Sequence, residues 1–236
     1  MAGLPMAQVA PDRDGLTLDQ LTVRLGPVLA GWPTGLVLSA SMQGDVLTDV
    51  SLTWVDAPGG HSGPVHQSRQ ADHPDRPPHD DPGEPPGDVL ALDRLASFLL
   101  VAGWPTAARQ ARVARDGLRS PIPEVRDRAR RSAAALARRV GHSRTLAWSV
   151  RGMAAGTPSS TPQARPAPAA HDVVDRFRWW CAAVRGEHVD DPLPALAPAE
   201  LASVLEGMEL AAARLTVASV VVDRDPASAR AVSAHD

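Results

Sequence analysis

The 236-residue chain contains no lysine, asparagine or tyrosine, and it has a single cysteine. Because Cys181 is alone, an intrachain disulfide and a metal site built from several thiolates are both excluded, which fits a reducing compartment. No stretch approaches the roughly 18 uninterrupted apolar residues of a membrane-spanning helix. The first residues also lack the basic and apolar regions of a signal peptide. We therefore expect a cytoplasmic protein, bound at most peripherally to the inner face of a membrane.

Motifs that carry chemistry are also missing. The chain has no phosphate-binding loop, dinucleotide fingerprint, nucleophile elbow or His-Glu zinc helix. Its carboxylates cannot be paired across space from the sequence, so no general acid or base is assigned. The expectation is a non-catalytic protein without a cofactor or metal, and an enzyme of unrecognised type is the remaining alternative.

One stretch near the N-terminus has the pattern of a β-hairpin. Apolar residues alternate from Leu36 to Met42 and from Val46 to Trp54, and the short connector between them contains Gly44. An imperfect alternation from Leu16 to Leu25 predicts a strand before this hairpin, after an irregular lead-in of 15 residues. The sequence thus predicts a small antiparallel sheet of about three strands, which needs a helix on one face.

Two segments lack the apolar residues that folding requires and are predicted to be disordered linkers. Four histidines of the first linker could form a metal-binding tract. Their spacings of five, seven and six fit no compact ligand set, which favours a plain linker. The predicted organisation is a β region at 1–55, an acidic His- and Pro-rich linker at 56–87, an Arg-rich helical region at 88–154, a Pro/Ser/Ala linker at 155–171 and a C-terminal helical region at 172–236.

Helical periodicity in 88–154 and 172–222 predicts one bundle of about five to six helices, which gives an α+β fold with the sheet packed on the bundle. The expected N-caps are Asp88, Ser143 and Asp172. The third helix is expected to have an apolar face, which consists of Val125, Ala129, Ala133, Leu136 and Val140. A single last helix is expected from Pro198 onwards, and whether 216–222 is helix or strand stays open because the segment is β-branched.

A net charge of −3 conceals a strongly basic region, since twelve arginines and three acids lie between Arg109 and Arg151. The absence of lysine favours GC-rich coding over selection for guanidinium chemistry, so the bias alone indicates no function. The basic region could pair with the acidic first linker, or it could bind an acidic protein, anionic lipid or phosphate. A solvated basic helix face is the simpler alternative. The predicted partner-binding residues are Arg126, Arg130, Arg131, Arg138 and Arg144.

The sequence gives weaker support for two other partners, nucleic acid and a membrane surface. Net negative charge and the lack of a reading helix or stacking platform disfavour nucleic acid. Four tryptophans next to Arg-rich helices fit a membrane-interface pattern, although at these spacings they are more often packing residues. These tryptophans are Trp104, Trp148, Trp179 and Trp180.

The N-terminal stretch resembles the β region of the quinone-site large subunit of respiratory complex I, a family related to the large subunit of nickel–iron hydrogenases. Gly26-Pro27, Gly35-Leu36-Val37-Leu38 and Gly44-Asp45-Val46 occupy, in order, the places of that family's first turn, second strand and hairpin. The resemblance covers about 35 residues, and the later helices fit the family's bundle by order and character. It implies a shared fold.

The departures from that family concern its chemistry. The family's first turn has a Gly-Pro-x-His-Pro-x-x-His-Gly pattern, whereas Gly26 to Gly35 contains no histidine and is one residue longer. The quinone-site tyrosine has no counterpart, and Cys181 cannot replace paired Cys-x-x-Cys motifs. The resemblance therefore implies a non-catalytic structural or assembly component of a membrane-associated complex I-like or hydrogenase-like complex, with that complex's subunits as partners. The alternative is a free-standing helical adaptor that binds an acidic protein or anionic membrane through its Arg-rich helices.

Overall fold

A computed structural model describes residues 8–11, 17–55, 87–153, 172–187 and 195–224. The two predicted linkers lie outside these residues, except for Gly87, which begins a helix. In the described part the predicted α+β class is confirmed: an N-terminal antiparallel sheet packs with helices. The strands of this sheet are β1 (Gln8–Pro11), β2 (Thr17–Leu25), β3 (Leu36–Gln43) and β4 (Val46–Trp54). The helices are α1 (Gly87–Val101), α2 (Pro105–Leu118), α3 (Pro123–Gly141), α4 (Arg144–Val150), α5 (Val173–Val184), α6 (Pro198–Leu205) and α7 (Leu210–Ser219).

The sheet has the order β1-β2-β3-β4, with antiparallel neighbours throughout. The predicted hairpin is present, and Gln43 of β3 pairs with Val46 of β4 across a turn in which Gly44 has a φ of +61°. A side chain at that φ is disfavoured, so glycine suits the turn. The lead-in was expected to be irregular, but β1 pairs with β2 and makes the sheet four-stranded.

Hydrophobic residues are buried in two clusters. One lies among helices α1 to α5, where the Phe98 ring stacks on Phe177 with 5.6 Å between centroids and meets the Trp180 ring edge-on at 6.1 Å. The other lies between the sheet and helices α6 and α7, and includes Leu36, Leu47 and Leu205. Met208 packs against both clusters. The C-terminal helices therefore join the sheet to the helical region.

Two of the three predicted N-caps, Ser143 and Asp172, are confirmed. Ser143 accepts a hydrogen bond from the Leu146 N–H at 3.3 Å, and Asp172 accepts one from the Asp175 N–H at 2.9 Å. Asp88, the third predicted cap, lies inside the first turn of α1, because that helix begins at Gly87. A side-chain acceptor at these positions satisfies N–H groups that the helix leaves without partners.

The single last helix predicted from Pro198 is wrong, because residues 206–209 divide it into α6 and α7. This segment pairs with β4 instead: the Leu47 N–H donates to the Met208 carbonyl at 2.9 Å, and the Gly207 N–H donates to the Leu47 carbonyl at 2.8 Å. The Glu206 carboxylate accepts the N–H groups of Asp49 and Val50, both at 2.9 Å. Gly207 has a φ of +75°, which a helix cannot contain.

Residues 216–222, which the sequence left open between helix and strand, belong partly to each. Helix α7 continues to Ser219, and Val221–Val222 then forms a short strand, β6. Strand β6 pairs in parallel with β5 (Ala195–Leu196). The carbonyl of Asp223, just beyond β6, accepts a hydrogen bond from the Trp54 indole N–H at 2.9 Å, which connects this small sheet to β4.

Candidate partner-binding groove

Helices α2 and α3 form a closely packed antiparallel pair. Their contact is made by small side chains, with Ala107, Ala111, Ala114, Ala129 and Ala133 all buried. At one end of the pair, a Cβ added to Gly117 would lie only 2.8 Å from the Ala129 Cβ. At the other end, an Arg139 guanidinium nitrogen donates to the Gln110 side-chain oxygen at 2.6 Å. Small residues let the two helix axes approach closely, so side chains beside the contact line a groove instead of filling it.

This groove has a volume of about 860 Å³ and is open to solvent. Ala114, Ala129 and Leu136 are its buried apolar floor. Val113 of α2 and Val125 of α3 line it from opposite helices and are 64% and 40% exposed. Val125 lines the groove together with Ala129 and Leu136 of its predicted apolar face, but unlike them it is exposed.

Three arginines line the groove, and no acidic residue does. Arg139 lies 5.3 Å from the centroid of the Trp104 ring, so its position is set by a cation–π contact as well as by Gln110. Arg109 and Arg128 are exposed, and neither has an ion pair or hydrogen bond from its side chain to another described residue. The groove thus combines an apolar floor with a lining whose charged residues are all positive.

The five arginines predicted from the sequence lie elsewhere on the surface. Arg126 donates to the backbone carbonyls of Ser120 and Pro121, both at 2.9 Å, and so holds the loop between α2 and α3. Arg130 is paired with Asp127 of the same helix at 3.1 Å, in an exposed position. The other three are exposed and have no ion pair with another described residue; they are Arg131, Arg138 and Arg144. A partner-binding role for these five stays a prediction.

Sequence reasoning missed the groove arginines, Arg109, Arg128 and Arg139, because it treated the basic region as one face. A signal was available in the two valines. Val113 and Val125 are branched apolar residues on otherwise charged helix surfaces, each outside its helix's run of buried alanines. The two valines lie on the same side of the helix pair because of how α2 packs on α3. The sequence pattern of each helix alone does not predict that packing.

Known proteins offer no guide to this groove. Comparisons with protein-family models, with curated proteins and with solved structures found no match. The resemblance to the complex I large subunit therefore stays a prediction from its three short motifs.

The described residues contain no group of three or more His, Cys, Asp or Glu side chains placed to hold a metal ion. None of the described helices is both long and apolar enough to cross a membrane.

Cys181, the only thiol of the chain, is buried in the helical cluster beside Gly141 of α3. Burial raises its pKa from the ordinary 9.0 to about 12, and this outweighs the opposing effects of the Arg185 charge and a hydrogen bond with the Gly141 backbone. The thiol is therefore protonated at neutral pH. Since the thiolate is the reactive form, the native residue is unsuited to act as a nucleophile.

One arginine is buried inside the fold and is not part of any surface. Arg176 of α5 is only 5% exposed, and it donates to the Ser219 hydroxyl at 3.2 Å, which joins α5 to α7. Burial lowers its pKa, while the charges of Asp172 and Asp175 oppose that effect. Its role is to connect the helical region to the C-terminal helices.

Proposed function

We propose that the protein is a non-catalytic binding module that docks an acidic amphipathic helix of another protein in the α2–α3 groove. The observation that carries this proposal is the combination of an apolar floor with three arginines and no acid in the same groove. An apolar stripe on the partner would cover the floor, and carboxylates beside that stripe would meet the guanidinium groups.

The dimensions of the groove favour a helix as its occupant. Its lining extends from Thr106 to Gly117 on α2 and from Val125 to Arg139 on α3. At 1.5 Å per residue these segments are about 16 and 21 Å long, which is three to four helical turns. A third helix laid between two antiparallel helices also buries the exposed parts of Val113 and Val125 in the usual ridge-and-groove manner.

The positions of the arginines indicate where the partner's acids lie. Arg109 and Arg139 are near the same end of the groove, because Arg139 contacts Gln110, the residue after Arg109. Arg128 is near the other end, close to Gly117 and Ala129. Arg128 and Arg139 are eleven residues apart on α3, about 16 Å. A matching helix would carry two acids about three turns apart on the side of its apolar stripe that faces α3, and one acid opposite Arg109 on the side that faces α2.

This proposal extends the adaptor hypothesis by naming the α2–α3 groove as the place where the acidic partner binds. The narrower role, as a structural or assembly component of a membrane-associated complex I-like or hydrogenase-like complex, is supported by the N-terminal motifs and would make that complex's subunits the source of the helix. In either case we place the protein in the cytoplasm and assign it no cofactor.

The test compares partners retained by tagged full-length protein from its native host in mild detergent. Val113→Asp puts a carboxylate on the apolar groove wall, and the double variant Arg109→Gln with Arg128→Gln removes two charges. Val28→Asp is the matched control, since Val28 is 86% exposed in the β2–β3 loop, far along the chain from the groove.

The expected result is one set of proteins that the wild type and Val28→Asp retain at equal yield and that both groove variants lose. A synthetic peptide copying an acidic helix of a retained protein should then bind the wild type, and bind Val113→Asp at least about tenfold more weakly. Equal retention by all variants would reject the groove as the docking site. Retained subunits of a complex I-like or hydrogenase-like assembly would support the narrower role, and their absence would reject it.

A further inference from the structure

Helix α4 presents an exposed tryptophan that the fold does not use. Leu146, Ala147 and Val150 attach the helix to the buried helical cluster. The other side of the helix carries Trp148, which is 79% exposed. The other five tryptophans of the chain are buried or half-buried, and they are Trp32, Trp54, Trp104, Trp179 and Trp180. Trp148 is therefore the one tryptophan that exposes most of its surface to contact something outside the protein.

The surface around Trp148 is basic. Arg144 lies one turn before Trp148 on the exposed side of α4, and Arg151 follows the end of the helix. Between Arg128 and Met153 the chain has seven arginines and no acidic residue. Asp172 lies beyond the end of α4, where its carboxylate accepts the Gly152 N–H at 3.5 Å and caps α5. Arg144 and Arg151 have no ion pair with another described residue.

This arrangement differs from a protein-binding hot spot. Such a spot is a tryptophan at the centre of a packed apolar patch that excludes water. Trp148 instead stands among Thr145, Ser149 and Arg144 on the exposed side of α4. An amphipathic indole with polar and basic neighbours is typical of side chains in the headgroup layer of a bilayer, where one end of the ring is apolar and the other hydrated.

We propose that Trp148, flanked by Arg144 and Arg151, anchors the protein to the interface of a membrane that contains anionic lipids. The indole enters the headgroup layer, and the guanidinium groups meet lipid phosphates and anionic headgroups. This surface is separate from the docking groove, since no groove-lining residue belongs to α4. The protein would then hold its helical partner close to a membrane face.

The test measures binding of full-length protein to vesicles of phosphatidylcholine alone and to vesicles that also contain phosphatidylglycerol. We expect binding to the anionic vesicles only, and weaker binding when ionic strength rises from about 0.1 M to about 1 M, because the Debye length falls from about 10 to about 3 Å. Trp148→Ala should weaken binding about tenfold, the factor expected when roughly 60 Å² of indole leaves water. Arg144→Gln should weaken it about fivefold.

Two controls keep the result specific. Ser149→Ala alters the same exposed side of α4 and should bind as the wild type does, and so should the groove variant Val113→Asp. The wild-type tryptophan emission should shift to the blue on anionic vesicles, and Trp148→Phe should lose that shift. Circular dichroism of each variant checks that α4 and the rest of the helices are retained.

Equal vesicle binding by the wild type and Trp148→Ala would overturn the proposal. So would loss of a protein partner by Trp148→Ala in the absence of any lipid, because Trp148 would then belong to a protein interface. If the groove variants retain the same protein partners as the wild type while Trp148→Ala loses vesicle binding, the proposed function is rejected and the membrane contact is supported.

Discussion

Gly117 offers a direct test of how α2 and α3 pack. An added Cβ would lie 2.8 Å from the Ala129 Cβ, well inside the favourable separation of about 3.5 to 4.0 Å. Gly117→Ala should gain up to about 1 kcal/mol in helix propensity. It should lose about 1 to 3 kcal/mol by overpacking the contact. The expected net effect is a loss of about 1 kcal/mol in the free energy of unfolding.

The sign of this effect should reverse when Ala129 is also changed. In an Ala129→Gly background the opposing methyl group is absent, so Gly117→Ala keeps its propensity gain and should stabilise the protein by about 0.5 to 1 kcal/mol. Urea unfolding followed by far-ultraviolet circular dichroism measures all four proteins of the cycle. If Gly117→Ala has the same effect in both backgrounds, or stabilises the otherwise unchanged protein, the close approach of α2 and α3 described here is incorrect.

Two further predictions concern the contact of the β2–β3 loop with α1 and the buried thiol of Cys181. Gly31→Ala should destabilise by about 3 kcal/mol, because Gly31 has a φ of +73° and an added Cβ would lie 2.4 Å from Val101 Cγ2 and 2.8 Å from the Ser97 carbonyl oxygen. Gly103→Ala, at a φ of +76° in open space, should cost only about 1 kcal/mol, so equal losses in urea unfolding would refute the contact. The pKa of Cys181 rises from 9.0 to about 12 on folding. Between pH 9 and pH 12 the thiol therefore loses its proton when the protein unfolds, so the free energy of unfolding should fall by up to about 1.4 kcal/mol for each pH unit gained in that range. Cys181→Ala should lack that component, and parallel pH profiles for the two proteins would contradict the burial of the thiol.

The parts of the fold that depend on local chemistry could be predicted from the sequence. The hairpin follows from alternation around Gly44, and α2, α3, α4 and α5 begin at prolines or capping residues that stand where the helices start. The α+β class follows from the order of those segments. Each of these features depends on residues a few positions apart, which is the range over which propensity and capping act.

The division between α6 and α7 could not be predicted in the same way. Leu205, Met208 and Ala212 fit one continuous apolar stripe. The break depends on two hydrogen bonds with Leu47, which is distant in the chain: the Gly207 N–H donates to the Leu47 carbonyl, and the Leu47 N–H donates to the Met208 carbonyl. Gly207 was the one local sign that the helix could end there. Tertiary pairing with the edge of β4 here outweighs the helical preference of the segment.

The residues that line the candidate groove could not be predicted from the sequence for the same reason. The basic character of the region is plain from its composition, yet which arginines line a common groove depends on the relative rotation of α2 and α3. Arg126 shows the difference, since its guanidinium is held by two loop carbonyls. Arg128, two residues later, lines the groove.

The central claim, that the α2–α3 groove holds an acidic helix of another protein, is tested most directly by photo-crosslinking in the native host. A benzoylphenylalanine placed at Val113 lies on the groove wall, and one placed at Val28 serves as the exposed control. We predict a crosslink from position 113 but not from position 28, and mass spectrometry should locate it in an acidic, amphipathic helix of a different protein. No crosslink at position 113, or one only to this chain's own acidic segment, would contradict the proposal.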